Sequence, residues 1–157
     1  MTAIVYDKRT KTIVADTQNT DSSGSIFRVD KIEVLKDGRY FMGSGNYFTI
    51  CKARRWAEAG FREKDRPDFG ALFHDDVEYA FSCLLISKDG SMVTLIDEEM
   101  EPIVVTDEYV AIGSGAALCL GALDAGATAL RAVEIACDRD GSVSRPIHQV
   151  TIGVKKK

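Results

Sequence analysis

The residues of this chain with the clearest chemical reach are Thr2, Asp16, Lys31 and the serine of the Gly113-Ser114-Gly115 turn. Removal of Met1 would put a hydroxyl and a free α-amine on one residue, Thr2. A threonine hydroxyl is a weak nucleophile at neutral pH, and an α-amine of pKa about 7.7–8.0 is suited to take its proton. Threonine with its own amine is a recognised activated pair. A buried lysine beside that amine disfavours a second positive charge and holds more of the amine neutral. Lys31 is the candidate, and Asp16, which ends the apolar run Thr12-Ile13-Val14-Ala15, is the carboxylate that compensates it. The chemistry indicated is attack on a carbonyl from the start of the chain.

Each residue also has a plain structural reading. Thr2 is then a penultimate threonine and no more. Asp16 opens a turn at Thr17-Gln18-Asn19, where aspartate and asparagine bond their own backbone. Lys31 is a solvated strand residue, and Gly113-Ser114-Gly115 is a strand-to-helix turn with a serine near the helix start. The combination, in this order and spacing, is what points to chemistry.

The elements that must position these groups fit one domain spanning residues 1–157, since 157 residues with 45% hydrophobic content suffice for one sizeable core. A formal net charge of -4 gives no clustered positive surface for phosphates, so nucleic acid is not an expected partner. Cys51, Cys83, Cys119 and Cys137 form no C-x-x-C pair and read as small, mostly buried hydrophobes in a reducing compartment. The chain start lacks a basic and then apolar leader, and no apolar run reaches about 18 residues. A cytoplasmic protein away from the membrane is expected. His74 and His148 lie on different elements outside any H-E-x-x-H or serine-hydrolase context, so neither metal nor cofactor is expected. Arg54-Arg55 reads as a charged helix face, and Trp56 as core packing or an interface anchor.

Short alternating or wholly apolar runs bounded by turn residues dominate the first third. Ala3 to Tyr6 and Thr12 to Ala15 read as a hairpin. Ile26 to Leu35 reads as a strand alternating around Val29, Ile32 and Val34, followed by another over Arg39 to Met42. Helical spacing runs from Tyr47 to Ala59 and stops at Gly60, and a shorter helix is predicted over Phe69 to Tyr79. Strands return at Phe81 to Ser87, Ser91 to Ile96, Ile103 to Val105 and Tyr109 to Ile112. From Gly115 an alanine- and leucine-rich stretch gives two helices, to about Leu123 and to Ala136, divided near Gly121, Asp124 and Gly126. A last strand covers Ile147 to Val154. Two strand runs, each followed by a helix pair, bury their faces when sheet packs on sheet with helices outside. The expected fold is α+β, a four-layer αββα sandwich of two antiparallel sheets.

Several segments carry a family resemblance: Thr2-Ala3-Ile4-Val5, Ile13-Val14-Ala15-Asp16, Asp30-Lys31-Ile32, Gly43-Ser44-Gly45-Asn46, Ala111-Ile112-Gly113-Ser114-Gly115 and Ala136-Cys137-Asp138-Arg139-Asp140. Together they cover nearly the whole chain, which resembles proteasome β-type subunits and most of all HslV, the peptidase of a bacterial two-component protease. The resemblance implies an N-terminal-nucleophile (Ntn) hydrolase fold and a threonine endopeptidase. It implies Thr2 as nucleophile, Lys31 as the active-site lysine, Asp16 as its partner, Ser114 as the serine beside the amine and Asp140 as a supporting aspartate. The backbone N–H of Gly45 is the candidate oxyanion donor, because glycine lets backbone approach substrate closely. The partners implied are polypeptide substrates, further copies in a homo-oligomeric ring and an ATP-driven AAA+ unfoldase.

The chain departs from that pattern twice. Residues 60–80 are short where HslV has long paired helices, and Gly141-Ser142-Val143-Ser144-Arg145-Pro146 lacks the Ser-Gly-Gly found after the aspartate in many β subunits. With no propeptide before Thr2, exposure of its amine is expected to follow from Met1 removal. Two other functions stay open: a catalytically silent or weakly active ring-forming protein of this fold, and a small-molecule Ntn amidase. Lack of large insertions to enclose a small ligand argues against the amidase.

Overall fold

The computed structural model describes residues 2–68, 80–98 and 101–154. Its arrangement follows from strands that bury both faces. β1 (Ile4–Asp7) and β2 (Thr12–Asp16) form the predicted hairpin, pairing from Ile4 with Ala15 to Asp7 with Thr12, and every residue of both strands is buried. β10 (Tyr109–Ile112) pairs with the free side of β1, and β11 (Ile147–Thr151) with that of β2, completing an antiparallel four-stranded sheet. The second sheet runs in chain order through β5 (Glu33–Val34), β6 (Tyr40–Gly45), β7 (Phe81–Ile86), β8 (Val93–Asp97) and β9 (Ile103–Val105), again antiparallel.

Side-chain alternation then assigns each residue to a layer. Ile4, Tyr6, Ile13 and Ala15 of the first sheet meet Met42, Leu84, Ile86 and Val93 of the second in a shared interior. The alternate residues Val5 and Val14 face Cys119, Leu123, Ala132 and Val133 of α2 (Ala116–Asp124) and α3 (Ala129–Arg139). On the far side, Phe41, Cys83 and Leu85 pack on Ala53, Trp56 and Ala57 of α1 (Tyr47–Glu58). The result is the expected αββα order of layers.

The helices start and stop for local reasons. Asn46 caps α1 by accepting the Thr49 N–H at 3.1 Å, and Thr128 caps α3 by accepting that of Arg131 at 3.2 Å. Between α2 and α3, Gly126 takes φ +90°, and its N–H and that of Ala127 close on the carbonyls of Leu123 and Ala122. Trp56 resolves as core: it is 3% exposed, meets Phe61 edge-on at 5.1 Å, and donates its indole N–H to the Arg62 carbonyl. Cys83 and Cys119 are buried, and burial pushes both thiols up, which makes them inert packing groups.

Two expectations change. The strand expected over Ile26 to Leu35 is broken: Ile26–Arg28 forms β4, which pairs with β3 (Gln18–Thr20) in a separate ribbon, while Glu33–Val34 joins the second sheet. The turn read at Thr17-Gln18-Asn19 is instead the start of β3, although Asp16 does accept the Gln18 N–H at 2.9 Å as a turn-opening aspartate would. The strands Ile103–Val105 and Tyr109–Ile112, neighbours in the chain, lie in different sheets. The helix predicted over Phe69 to Tyr79 lies outside the described residues. Among the described residues, no helix is long and apolar enough to cross a membrane, and no cluster of three His, Cys, Asp or Glu is placed to hold a metal ion.

Candidate active site

The site forms where the chain start meets three other segments. Thr2 is 4% exposed and Asp16 is fully buried. Asp16 ends β2 opposite the start of β1, and its carboxylate accepts the Ala3 N–H at 2.9 Å as well as that of Gln18. One oxygen also accepts the Lys31 ammonium at 2.8 Å, and the same ammonium donates to Thr2 Oγ at 2.8 Å. Lys31 sits in the gap between β4 and β5, where leaving the regular ladder lets its chain turn inward, and its side chain is only 7% exposed. The solvated-strand reading of Lys31 is therefore excluded.

Burial pulls the Lys31 ammonium below its ordinary value, and the hydrogen bond and charge of Asp16 oppose that pull. Breaking such a pair by removing one partner leaves an uncompensated buried charge, a loss of about 3–5 kcal/mol. The lysine is thus poised to give hydrogen bonds to the threonine hydroxyl without being lost to solvent.

The Gly113-Ser114-Gly115 turn grips Thr2 from the other side. The Thr2 nitrogen donates to Ser114 Oγ at 3.2 Å, and the Gly115 N–H donates to the Thr2 carbonyl at 3.1 Å. That nitrogen is an amide while Met1 is attached and becomes the α-amine once Met1 is removed. Gly113 has φ +96°, and a Cβ built there would lie 2.1 Å from the Thr2 carbonyl oxygen. Only glycine permits this approach. A Cβ at Gly115 would meet that of Ala3 at 2.9 Å, so both glycines seat the first strand.

Asp140 joins the site indirectly. It follows α3, and Ser142 donates both its backbone N–H, at 2.9 Å, and its hydroxyl to Asp140 Oδ1. The Ser142 and Ser114 hydroxyls lie 3.2 Å apart, which links Asp140 through two serines to the Thr2 nitrogen. Those Ser142 bonds hold the Asp140 carboxyl below its ordinary value. Ser142 is a residue of this network that the sequence did not single out. The available signal was the Asp-x-Ser spacing, which lets an aspartate oxygen receive the backbone N–H two residues on.

Gly45 ends β6 and lines the same cavity as Thr2 and Lys31, which has a volume of about 420 Å³. Its φ is +108°, and a Cβ there would fall 2.2 Å from the Ala80 carbonyl oxygen. Glycine is needed here by the neighbouring backbone, a reason separate from any approach of substrate. His148, isolated in the sequence, lies with Nδ1 3.1 Å from Asp30, the residue before Lys31. His74 lies outside the described residues.

No family model and no curated protein sequence matches the chain. Solved structures do. The chain is similar to eukaryotic HslV from Trypanosoma brucei, with TM-score 0.68 and 19% identity over 94% of this chain and 97% of that one. It is similar to Thiobacillus denitrificans BPH in complex with epoxomicin, with TM-score 0.64 and 14% identity over 97% and 100%. An Anbu (Gly-1) mutant from Hyphomicrobium sp. strain MC1 gives TM-score 0.70 and 16% identity over 99% and 86%. At these identities the likeness is one of fold, and the fold is the α+β sandwich of HslV, BPH and Anbu.

Proposed function

We propose that this protein is a threonine endopeptidase whose nucleophile is Thr2 after removal of Met1. The observation that carries the reading is the buried set Asp16, Lys31 and Thr2 Oγ, joined by two hydrogen bonds of 2.8 Å, with the Thr2 nitrogen on Ser114. A structural salt bridge has no need of a hydroxyl on the first residue of the processed chain.

In the proposed reaction Thr2 Oγ attacks the scissile carbonyl, and its proton passes to the α-amine directly or through a water. The C–N bond then breaks, the departing amine takes that proton, and an ester links the acyl group to Thr2. Water attacks the ester and restores the hydroxyl. Lys31, kept charged by Asp16, lowers the proton affinity of its neighbours, and Ser114 with Ser142 and Asp140 orients the amine. The Gly45 N–H is the proposed donor to the oxyanion. The fold's likeness to HslV and Anbu supports a homo-oligomeric ring that shelters the site, acting in the cytoplasm on polypeptides delivered by an AAA+ unfoldase.

The test is direct. Protein processed to begin at Thr2 is expected to cleave peptides and to gain one mass adduct at Thr2 with a peptide epoxyketone, and Thr2→Ala to lose both. Retention of Met1 in naturally processed protein, with no cleavage and no adduct even after its removal, would leave a non-catalytic sandwich. Cleavage of small amides alone would make it an amidase.

A further inference from the structure

We propose that the cavity beside Thr2 receives a basic side chain, lysine or arginine, from the residue whose carbonyl is attacked, and that Glu33 is the carboxylate selecting it. The inference rests on the threonine peptidase reading above and concerns its substrate class. The cavity is lined by Thr2 and Lys31 together with Arg54 of α1 and Glu33 of β5.

Its charges are not equivalent. Lys31 is committed to Thr2 Oγ and Asp16, both at 2.8 Å. Arg54 holds two carboxylates, Glu33 at 2.9 Å and Glu58 at 3.5 Å. The negative groups on the cavity wall are Asp30, which faces His148 and accepts the Ile32 N–H, and Glu33. Glu33 meets Arg54 through Oε1, its side chain is 50% exposed, and among the described residues Oε2 has no hydrogen-bond partner. A carboxylate can accept several donors at once. An incoming cation therefore binds Glu33 while Arg54 keeps Glu58. An incoming carboxylate would find further N–H donors on Arg54, but it would then sit beside Glu33 and Glu58, which already hold that guanidinium through Nη1, and would face Asp30, so like charges disfavour it.

The rest of the wall suits the stem of such a side chain. Val29 and Ile50 line the cavity, and Ile50 fills the space left by Gly43, where an added Cβ would lie 2.5 Å from Ile50 Cγ2. Lysine and arginine lay their methylenes on apolar surface and keep the charged head at a polar end.

Three epoxyketone peptides that differ only in arginine, leucine or aspartate next to the electrophile test this on protein beginning at Thr2, with the rate of the Thr2 adduct read by intact mass. The arginine probe is expected to react fastest and the aspartate probe slowest. In Glu33→Gln the arginine-to-leucine rate ratio is expected to fall about tenfold, as for a charge-assisted hydrogen bond partly screened by solvent. In Arg54→Gln, which releases both carboxylates, that ratio is expected to rise. A leucine or aspartate probe that reacts fastest, or a ratio unmoved by Glu33→Gln, overturns the pocket assignment while leaving Thr2 as nucleophile. No adduct from any probe overturns both.

Discussion

Gly113→Ala is a mutation whose effect can be worked from the geometry. The new Cβ would stand 2.1 Å from the Thr2 carbonyl oxygen, 2.7 Å from its carbon and 3.0 Å from its Cβ. The nearest of these is about 0.9 Å inside the 3.0 Å that real Cβ contacts respect, and it is backbone, so no flexible side chain can yield. Either the turn or the first strand must move by nearly 1 Å. The first strand carries Thr2 Oγ, which must stay 2.8 Å from Lys31, and the turn carries Ser114. A 1 Å misplacement of reacting groups lowers a rate about 100-fold. The positive φ adds strain of about 1–2 kcal/mol for alanine, which lowers the melting temperature by about 2–8 °C in a chain of this size. The assay is Thr2 adduct formation with an epoxyketone, followed by intact mass, beside a thermal melt. Gly121→Ala is the control: it lies in α2 with nothing within 4 Å of its added Cβ, and it is expected to leave the adduct rate unchanged while stabilising by about 0.5–1 kcal/mol. An adduct rate in Gly113→Ala within twofold of the parent would show that this turn does not set the position of Thr2.

Two further expectations follow from the same network and from its surroundings. Ser142→Ala removes the hydroxyl between Asp140 and Ser114, and it is expected to slow adduct formation about tenfold, the scale of one lost hydrogen bond to a charged group, with a small change in melting temperature; an unchanged rate would place Asp140 outside the site. Away from it, burial acts to raise the Asp7 carboxyl, but hydrogen bonds from the Arg9 side chain and backbone outweigh it and hold the group below its ordinary value. The folded state then binds fewer protons than the unfolded one, so this stabilisation is present above pH about 3.9 and is lost as pH falls below it towards the lowered folded value. Urea midpoints between pH 2 and 6 are expected to decline more steeply with acid in the parent than in Asp7→Asn, and parallel curves would refute that assignment.

How much of this was legible beforehand depended on the range of the interactions. Local patterns located the β1–β2 hairpin, the helix after Gly45 and the break at Gly126, because strand alternation, an N-cap and a positive-φ glycine act within a few residues. The same locality misread Ile26 to Leu35 as one strand, since nothing nearby says that Ile26–Arg28 pairs with Gln18–Thr20 while Glu33–Val34 pairs with β6. That break is what turns Lys31 inward. Ser142 stayed hidden for a related reason: its turn with Asp140 is local, but its reach to Ser114 spans 28 residues.

The order of residue types alone singled out Thr2, Asp16, Lys31 and Ser114 as groups with chemical reach, and the unbroken apolar runs Ile4-Val5-Tyr6 and Ile13-Val14-Ala15 marked strands that bury both faces. Only the tertiary structure decided which strands share a sheet. Pairing β10 with β1 brings Gly113, Ser114 and Gly115 against Thr2, 111 to 113 positions away in the chain. Hydrogen bonds and backbone clearances of this kind depend on distances in space, which the local pattern of a sequence does not encode.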